Sequence, residues 1–273
     1  HSLDGYLSKL ISKGHRIAIC EQTSDPSSSK GIVDREVVRI VTPGTITEDQ
    51  LLKKNTNNYL ASVVIKDDTV GIAYVDITTT EFLTTEIQIE DITTEINRIN
   101  PKEVITSKPL PNHVAENLNT YITLVDAESD IANKSRRIIE QNFKVASLES
   151  FGCDKLILGI EAAAQIIEYL KTHQRSALKT IPTLKTYSTQ AFMSLDQQTS
   201  RNLEIFSSGR EGSQESSLYS ILDKTQTPMG GRLLRKWLGQ PLLELDLLEK
   251  RQKAVEWFIK DPIRREQIAK ILT

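Results

Sequence analysis

The residues with most claim to chemistry in this chain are carboxylates placed on strand and helix patterns. Asp76 ends a β-branched run, and Glu81, Asp91 and Glu95 follow it. Two-metal cleavage of a phosphodiester needs several such groups gathered around cations about 4 Å apart. Their spacing does not force that convergence. Asp76 reads more simply as a strand end whose carboxylate bonds the Thr-rich turn Thr78-Thr79-Thr80. No Gly-x-x-x-x-Gly-Lys-Ser/Thr string occurs, so a P-loop phosphate cradle is excluded. Gly230-Gly231-Arg232 lies inside a helix pattern and lacks both the loop and the lysine. Gly152 and Gly159 make no dinucleotide fingerprint. Cys20 and Cys153 stand far apart, and His1, His15, His113 and His173 are scattered, so spacing supplies neither a disulfide framework nor a metal set. The sequence therefore assigns no catalytic, cofactor or metal residue to this chain.

Basic residues offer a second kind of chemistry. Lys30, Arg35 and Arg39 flank a polar loop and a strand, where they could meet nucleic-acid phosphates or form ordinary solvated surface. Arg232, Arg235 and Lys236 share one helix face, as a solvated face or as an inter-helix or inter-domain contact. The formal net charge is −2, whereas an autonomous nucleic-acid binder is usually basic, so any DNA contact must be local.

The elements that position these residues are legible from period and punctuation. The 273 residues, 38% hydrophobic and 26% charged, suffice for about two packed domains. No apolar run approaches the ~20 residues of a membrane span, and no signal pattern opens the chain. Reduced thiols in a cytoplasmic protein are the expectation. Helix patterns occupy both extremities, which predicts an excised portion of a longer protein. A helix over 2–13 ends at Gly14, and strands follow at 16–20 and 36–41, the second closed by Thr42-Pro43-Gly44. This opening stretch is too small to bury a core of its own. Strands at 60–66, 70–77 and 81–87 precede helices near 89–99, 113–118 and 130–142, with further strands near 104–106 and 122–125. Three antiparallel strands followed by helix–strand repeats predict a mixed sheet covered by helices, in an order like the ribonuclease-H fold. A helix spans 154–173, and Thr180-Ile181-Pro182 breaks the chain after it. Beyond about 195 the pattern is helical. Thr199 is expected to cap a helix bearing Leu203 and Phe206, and Ser216 or Ser217 one at 218–222. Thr227-Pro228 starts a helix that buries Met229, Leu233, Trp237 and Leu238; Asp246-x-x-Glu249 and Asp261-Pro262 start two more.

Long strings in this order resemble the MutS family of DNA mismatch repair proteins. They are Gly5-Tyr6-Leu7-Ser8-Lys9-Leu10 with Ala18-Ile19-Cys20-Glu21-Gln22, then Asp25-Pro26, Lys30-Gly31 and Arg35-Glu36-Val37-Val38-Arg39-Ile40-Val41-Thr42-Pro43-Gly44-Thr45. Further on come Arg201-Asn202-Leu203-Glu204, the run from Leu222 to Leu238 and Gln240-Pro241-Leu242. The middle, about 85–150, matches in pattern more than in letters. The resemblance implies an α/β plus all-α chain: residues 1–44 as the end of a mismatch-binding domain, 55–190 as a ribonuclease-H-like connector domain without nuclease activity, and 191–273 as the first part of a helical core or lever domain. It implies a parent that binds mismatched double-stranded DNA as a homodimer, hydrolyses Mg-ATP through a P-loop outside this sequence, and signals to MutL. In the family a Phe-x-Glu motif wedges at the mismatch, and it is not in this chain. Location would be cytoplasmic and nucleoid-associated. Within that frame, Thr42, Pro43 and Gly44 on one side and Pro182 on the other are expected inter-domain joints, Lys30, Arg35 and Arg39 DNA-backbone contacts, and Arg136 and Arg137 a MutL contact. A metal-dependent ribonuclease-H-like nuclease is the alternative.

Overall fold

A computed structural model describes residues 3–22, 35–48, 50–126, 131–208, 213 and 215–272. Lys30 lies outside them. The chain divides into two compact units, one formed by His1–Leu52 with Asn58–Tyr187, the other by Lys53–Asn57 with Ser188–Thr273.

The first unit opens with α1 (Leu3–Ile11), β1 (Ile17–Gln22) and β2 (Arg35–Val41). The strands pair antiparallel with a register shift at Ile19/Cys20. Contrary to expectation this stretch gathers a small core: Leu7, Ile11, Ile19, Val41 and Ile46 are buried together. Its outer positions stay open, with Val37 and Val38 exposed on β2.

The rest of the unit is a six-stranded mixed sheet. In chain order its strands are β3 (Leu60–Lys66), β4 (Thr69–Asp76), β5 (Glu81–Gln88), β6 (Glu103–Thr106), β7 (Tyr121–Leu124) and β8 (Lys185–Thr186). Their spatial order is β7-β6-β3-β4-β5-β8. The first three form an antiparallel meander. β6 joins parallel beside β3, and β7 parallel beside β6. The expected helix near 89–99 is a 3-10 turn running into α2 (Ile92–Ile99), followed by α3 (Asn112–Ala115), α4 (Ile131–Phe143) and α5 (Ile157–His173).

Strand side chains alternate between the two faces of a sheet, and here both faces are covered. Val70, Ile72 and Tyr74 of β4 pack with Ile92, Ile96 and Ile99 of α2. Ala73 and Val75 face the opposite way, among Ile160, Ala163, Ile167 and Leu170 of α5. With both faces buried, β3 to β5 read as nearly continuous apolar runs. β8, parallel to β5 at the sheet edge, was not expected; two exposed residues carry too little pattern to be seen.

The second unit is helical: α6 (Gln197–Asn202), α7 (Leu218–Leu222), α8 (Pro228–Gly239), α9 (Leu245–Lys260) and α10 (Pro262–Leu272). Ser217 and Thr227 cap α7 and α8 as expected, each accepting an amide three residues on. Three expectations fail. Asp196, not Thr199, caps α6, and Leu203 and Phe206 fall beyond its end. α9 begins one residue before Asp246, which sits in its first turn. Met229 and Leu233 are exposed at 63% and 47%. The residue that α8 buries is Gly231, so the face that packs lies away from the apolar stripe.

Candidate functional site

The most concentrated buried polar chemistry lies where the turn after β2 meets β6. Thr42-Pro43-Gly44-Thr45 closes on itself: the Thr45 amide donates to the Thr42 carbonyl, and the Thr42 amide to the Thr45 hydroxyl at 2.9 Å. This leaves the Thr42 hydroxyl and the Gly44 amide pointing outward from the turn. Both donate to one oxygen of Glu103, at 2.5 and 3.0 Å. The other carboxylate oxygen accepts from Thr123 on β7 at 2.8 Å and from the Tyr169 phenol on α5 at 2.9 Å. Asn58, just before β3, donates its side-chain amide to the Pro43 carbonyl at 3.1 Å.

Glu103 is wholly buried, as is Thr42. An isolated carboxylate moved out of water is strongly disfavoured. Here each oxygen meets two donors, so the buried carboxyl's acceptors are satisfied. Its negative field is felt nearby. Burial raises the Tyr169 phenol above its ordinary range, and the Glu103 charge raises it further. Burial lowers the His173 imidazole below its usual value.

Gly44 is required by close approach: a Cβ there would stand 2.9 Å from Leu60 Cδ1 and 3.0 Å from Glu103 Cβ. A second tie lies at the other end of the opening stretch. Gly14, in the left-handed region at φ +79°, lies under the Tyr121 ring, and a Cβ would meet that ring at 2.3 Å. The Tyr121 phenol donates to the Ser12 carbonyl at 2.8 Å.

The expected nuclease carboxylates do not converge. Asp76 is buried; one oxygen accepts from the Thr78 amide and hydroxyl and the Thr79 amide, the other from the Asn58 amide at 3.1 Å. Glu81 accepts from the Tyr59 phenol at 2.6 Å. Glu95 holds Arg98 in a bidentate pair and accepts from Tyr187 at 2.5 Å. Among the described residues no group of three or more His, Cys, Asp or Glu is placed to hold a metal ion.

The other expected site residues are dispersed. Arg35 is exposed. Arg39 pairs with Glu48 at 2.5 Å and donates to Thr47, so its charge is already largely met. Pro182 is exposed, and the chain passes to the second unit five residues later, after Tyr187. Arg136 and Arg137 are exposed on α4, with Arg136 donating to the Asp154 carbonyl at 2.7 Å. Of the Arg232 face, Arg232 donates to the Lys54 carbonyl and Arg235 stacks over the Phe206 ring at 4.3 Å. That face is a contact rather than a solvated one. Glu103, Thr123, Tyr169 and Asn58 were missed; a glutamate heading an apolar strand was the one available signal.

What the first unit presents is thus a buried polar cluster in a mixed α/β scaffold, followed in sequence by helices. Models of MutS domain I, MutS domain II and MutS domain III match residues 1–50, 58–182 and 198–273. The chain is 42% identical to the DNA mismatch repair protein MutS of Dehalococcoides mccartyi (strain ATCC BAA-2266 / KCTC 15142 / 195) over 272 residues, all of this chain and 32% of that protein. It is 37% identical to the one from Chlorobaculum parvum, over 100% of this chain and 32% of the relative. With that of Syntrophomonas wolfei subsp. wolfei the identity is 44%, over 94% and 31%. The chain belongs to the MutS family. It spans about a third of the length of the curated relatives it matches.

Proposed function

We propose that this chain is the connector-bearing portion of a mismatch-recognition protein and serves as a mechanical coupling element, with no bond-breaking step of its own. The single observation that carries this reading is Glu103. One carboxylate ties the turn after β2, strand β7 and helix α5 together by four hydrogen bonds in a buried setting. Coupling between distant sites needs a rigid element whose arrangement both can bias, and a satisfied buried polar network is rigid.

On this reading residues 1–44 end a mismatch-binding domain, 55–190 form the connector and 191–273 begin the lever. The connector sheet is ribonuclease-H-like: a three-strand antiparallel meander, extended beside its first strand by two parallel strands, supports this. The whole protein binds mismatched DNA as a homodimer, hydrolyses Mg-ATP elsewhere in its length and recruits MutL in the cytoplasm, at the nucleoid. Lys30 and Arg35 meet the DNA backbone, with Arg39 a weaker partner because Glu48 already pairs it. Exposed Arg136 and Arg137 of α4 receive MutL. Among the described residues no helix is long and apolar enough to cross a membrane.

The test uses the complete protein with Gly44→Val. Forced against Leu60 and Glu103, the new side chain breaks the turn's seat. ATP-dependent release from mismatched DNA should slow or fail while ATP hydrolysis without DNA persists. Unchanged release would sink the coupling role of this joint. For MutL, reversing Arg136 and Arg137 to Glu should weaken recruitment, and intact recruitment would remove that contact.

A further inference from the structure

The Gly230-Gly231-Arg232 string is unexplained by phosphate binding and costly for a helix. Each glycine near the start of α8 disfavours the helix relative to alanine. The second unit shows what Gly231 is for. Residues Lys53–Asn57 belong to that unit, although their neighbours in sequence on both sides belong to the other. Asn55 lies against Gly231, where a Cβ would stand 2.8 Å from Asn55 Cγ and 3.1 Å from Asn55 Cβ. The Asn55 side-chain amide donates to Asp223 at 3.3 Å. Asp223 is itself held by the Thr225 amide and hydroxyl, at 3.1 and 2.6 Å. Arg232, the next residue of α8, donates to the Lys54 carbonyl at 2.9 Å. A turn bond from the Thr56 amide to the Lys53 carbonyl completes the segment.

We propose that Lys53–Asn57 is a latch seated in a notch of the helical unit, with Gly231 the residue that makes the notch and Arg232 and Asp223 its two polar catches. Seated, the five residues are held against α8 and Asp223 by these contacts. The catches are part-exposed single hydrogen bonds, weak in net terms, so the seat can open without unfolding α8. This stands apart from the Glu103 joint and needs neither DNA nor ATP.

Hydrogen exchange of the intact chain tests it, read at the Thr56 amide and along α8. Gly231→Ala adds a better helix former and fills the notch. The expected result is exchange at Thr56 faster by tenfold or more, with α8 protection kept. Faster exchange at Thr56 in Arg232→Gln and in Asn55→Ala, which leave the α8 backbone untouched, is expected as well, and these two decide should Gly231→Ala not fold. If Thr56 exchange is unchanged in the variants that fold, while Gly231→Ala simply raises the melting temperature, Gly231 is an ordinary helix position and the latch is wrong.

Discussion

The imidazole of His173 lies flat on the Tyr169 ring, centroids 3.8 Å apart and 17° from parallel. Tyr169 in turn donates to Glu103. His173 therefore backs the joint from one turn further along α5, and its protonation state bears on it. Burial lowers its pKa from the ordinary value near 6.5. The unfolded chain then takes up a proton at higher pH than the folded chain does, so the neutral imidazole's contribution is fully present above about 6.5 and is lost as pH falls below it. Denaturant midpoints of the first unit should drop between pH 7 and 5, and His173→Phe, which keeps a stacked ring, should flatten that slope. An unchanged slope in the variant would assign the pH effect elsewhere.

Glu103→Gln keeps the shape but places an amide NH₂ where two donors already point. Removing one member of a buried, hydrogen-bonded charge network costs on the order of 3 kcal/mol. Tyr169→Phe, which removes a single donor, should cost about 1–2 kcal/mol. Equilibrium urea unfolding measures both. A Glu103→Gln cost below that of Tyr169→Phe would mean that the carboxylate is not the hub.

Asp76 should act as a structural carboxylate. Its replacement by Asn substitutes a neutral amide for the acceptor of the Asn58, Thr78 and Thr79 amides, with an expected loss of about 1–3 kcal/mol. Incubating DNA and RNA with the purified chain and Mg²⁺ or Mn²⁺ should yield no cleavage to lose. Cleavage abolished in Asp76→Asn would restore the nuclease alternative.

α5 begins without a side-chain cap of its own. Glu86 of β5 supplies it, accepting from the Leu158 and Gly159 amides at 2.6 and 3.1 Å. A carboxylate at a helix N-terminus satisfies orphan amides and meets the positive end of the helix dipole. Glu86→Ala should destabilise the unit by about 1–2 kcal/mol, seen as faster exchange in the first turn of α5. Protection unchanged there would show the cap to be dispensable.

The edge-on ring series Tyr59, Tyr74 and Tyr187, with centroid spacings of 5.0 and 5.5 Å, packs beside Glu81, Glu95 and Arg98. Tyr59→Phe leaves the half-buried Glu81, and Tyr187→Phe the buried Glu95, short of a donor, and each should cost about 1–2 kcal/mol. Because both rings touch Tyr74, a double-mutant cycle should depart from additivity by 0.5 kcal/mol or more, on the order seen for contacting residues. Strict additivity would refute the coupling.

Much of this architecture is legible in the sequence, for a local reason. The β-branched period-two runs, the Ile92-Ile96-Ile99 spacing and the Thr227-Pro228 start depend on neighbours a few residues away, so a single sequence carries them. The ordered MutS-like strings likewise determined the family. The turn Thr42-Pro43-Gly44 was legible as a turn, and its role as a joint is the proposed reading. Its partner was not: Thr42 and Glu103 are separated by 61 positions, and no periodicity links them. The same holds for Glu86 capping α5, for Asn55 seated against Gly231 and for the outward-facing Met229 and Leu233. In each case the residue type is compatible with several environments, and only the packing of distant segments chooses one. Spacing therefore decided which elements form, while tertiary structure alone decided which buried charge meets which donor, since that depends on backbone approach in three dimensions.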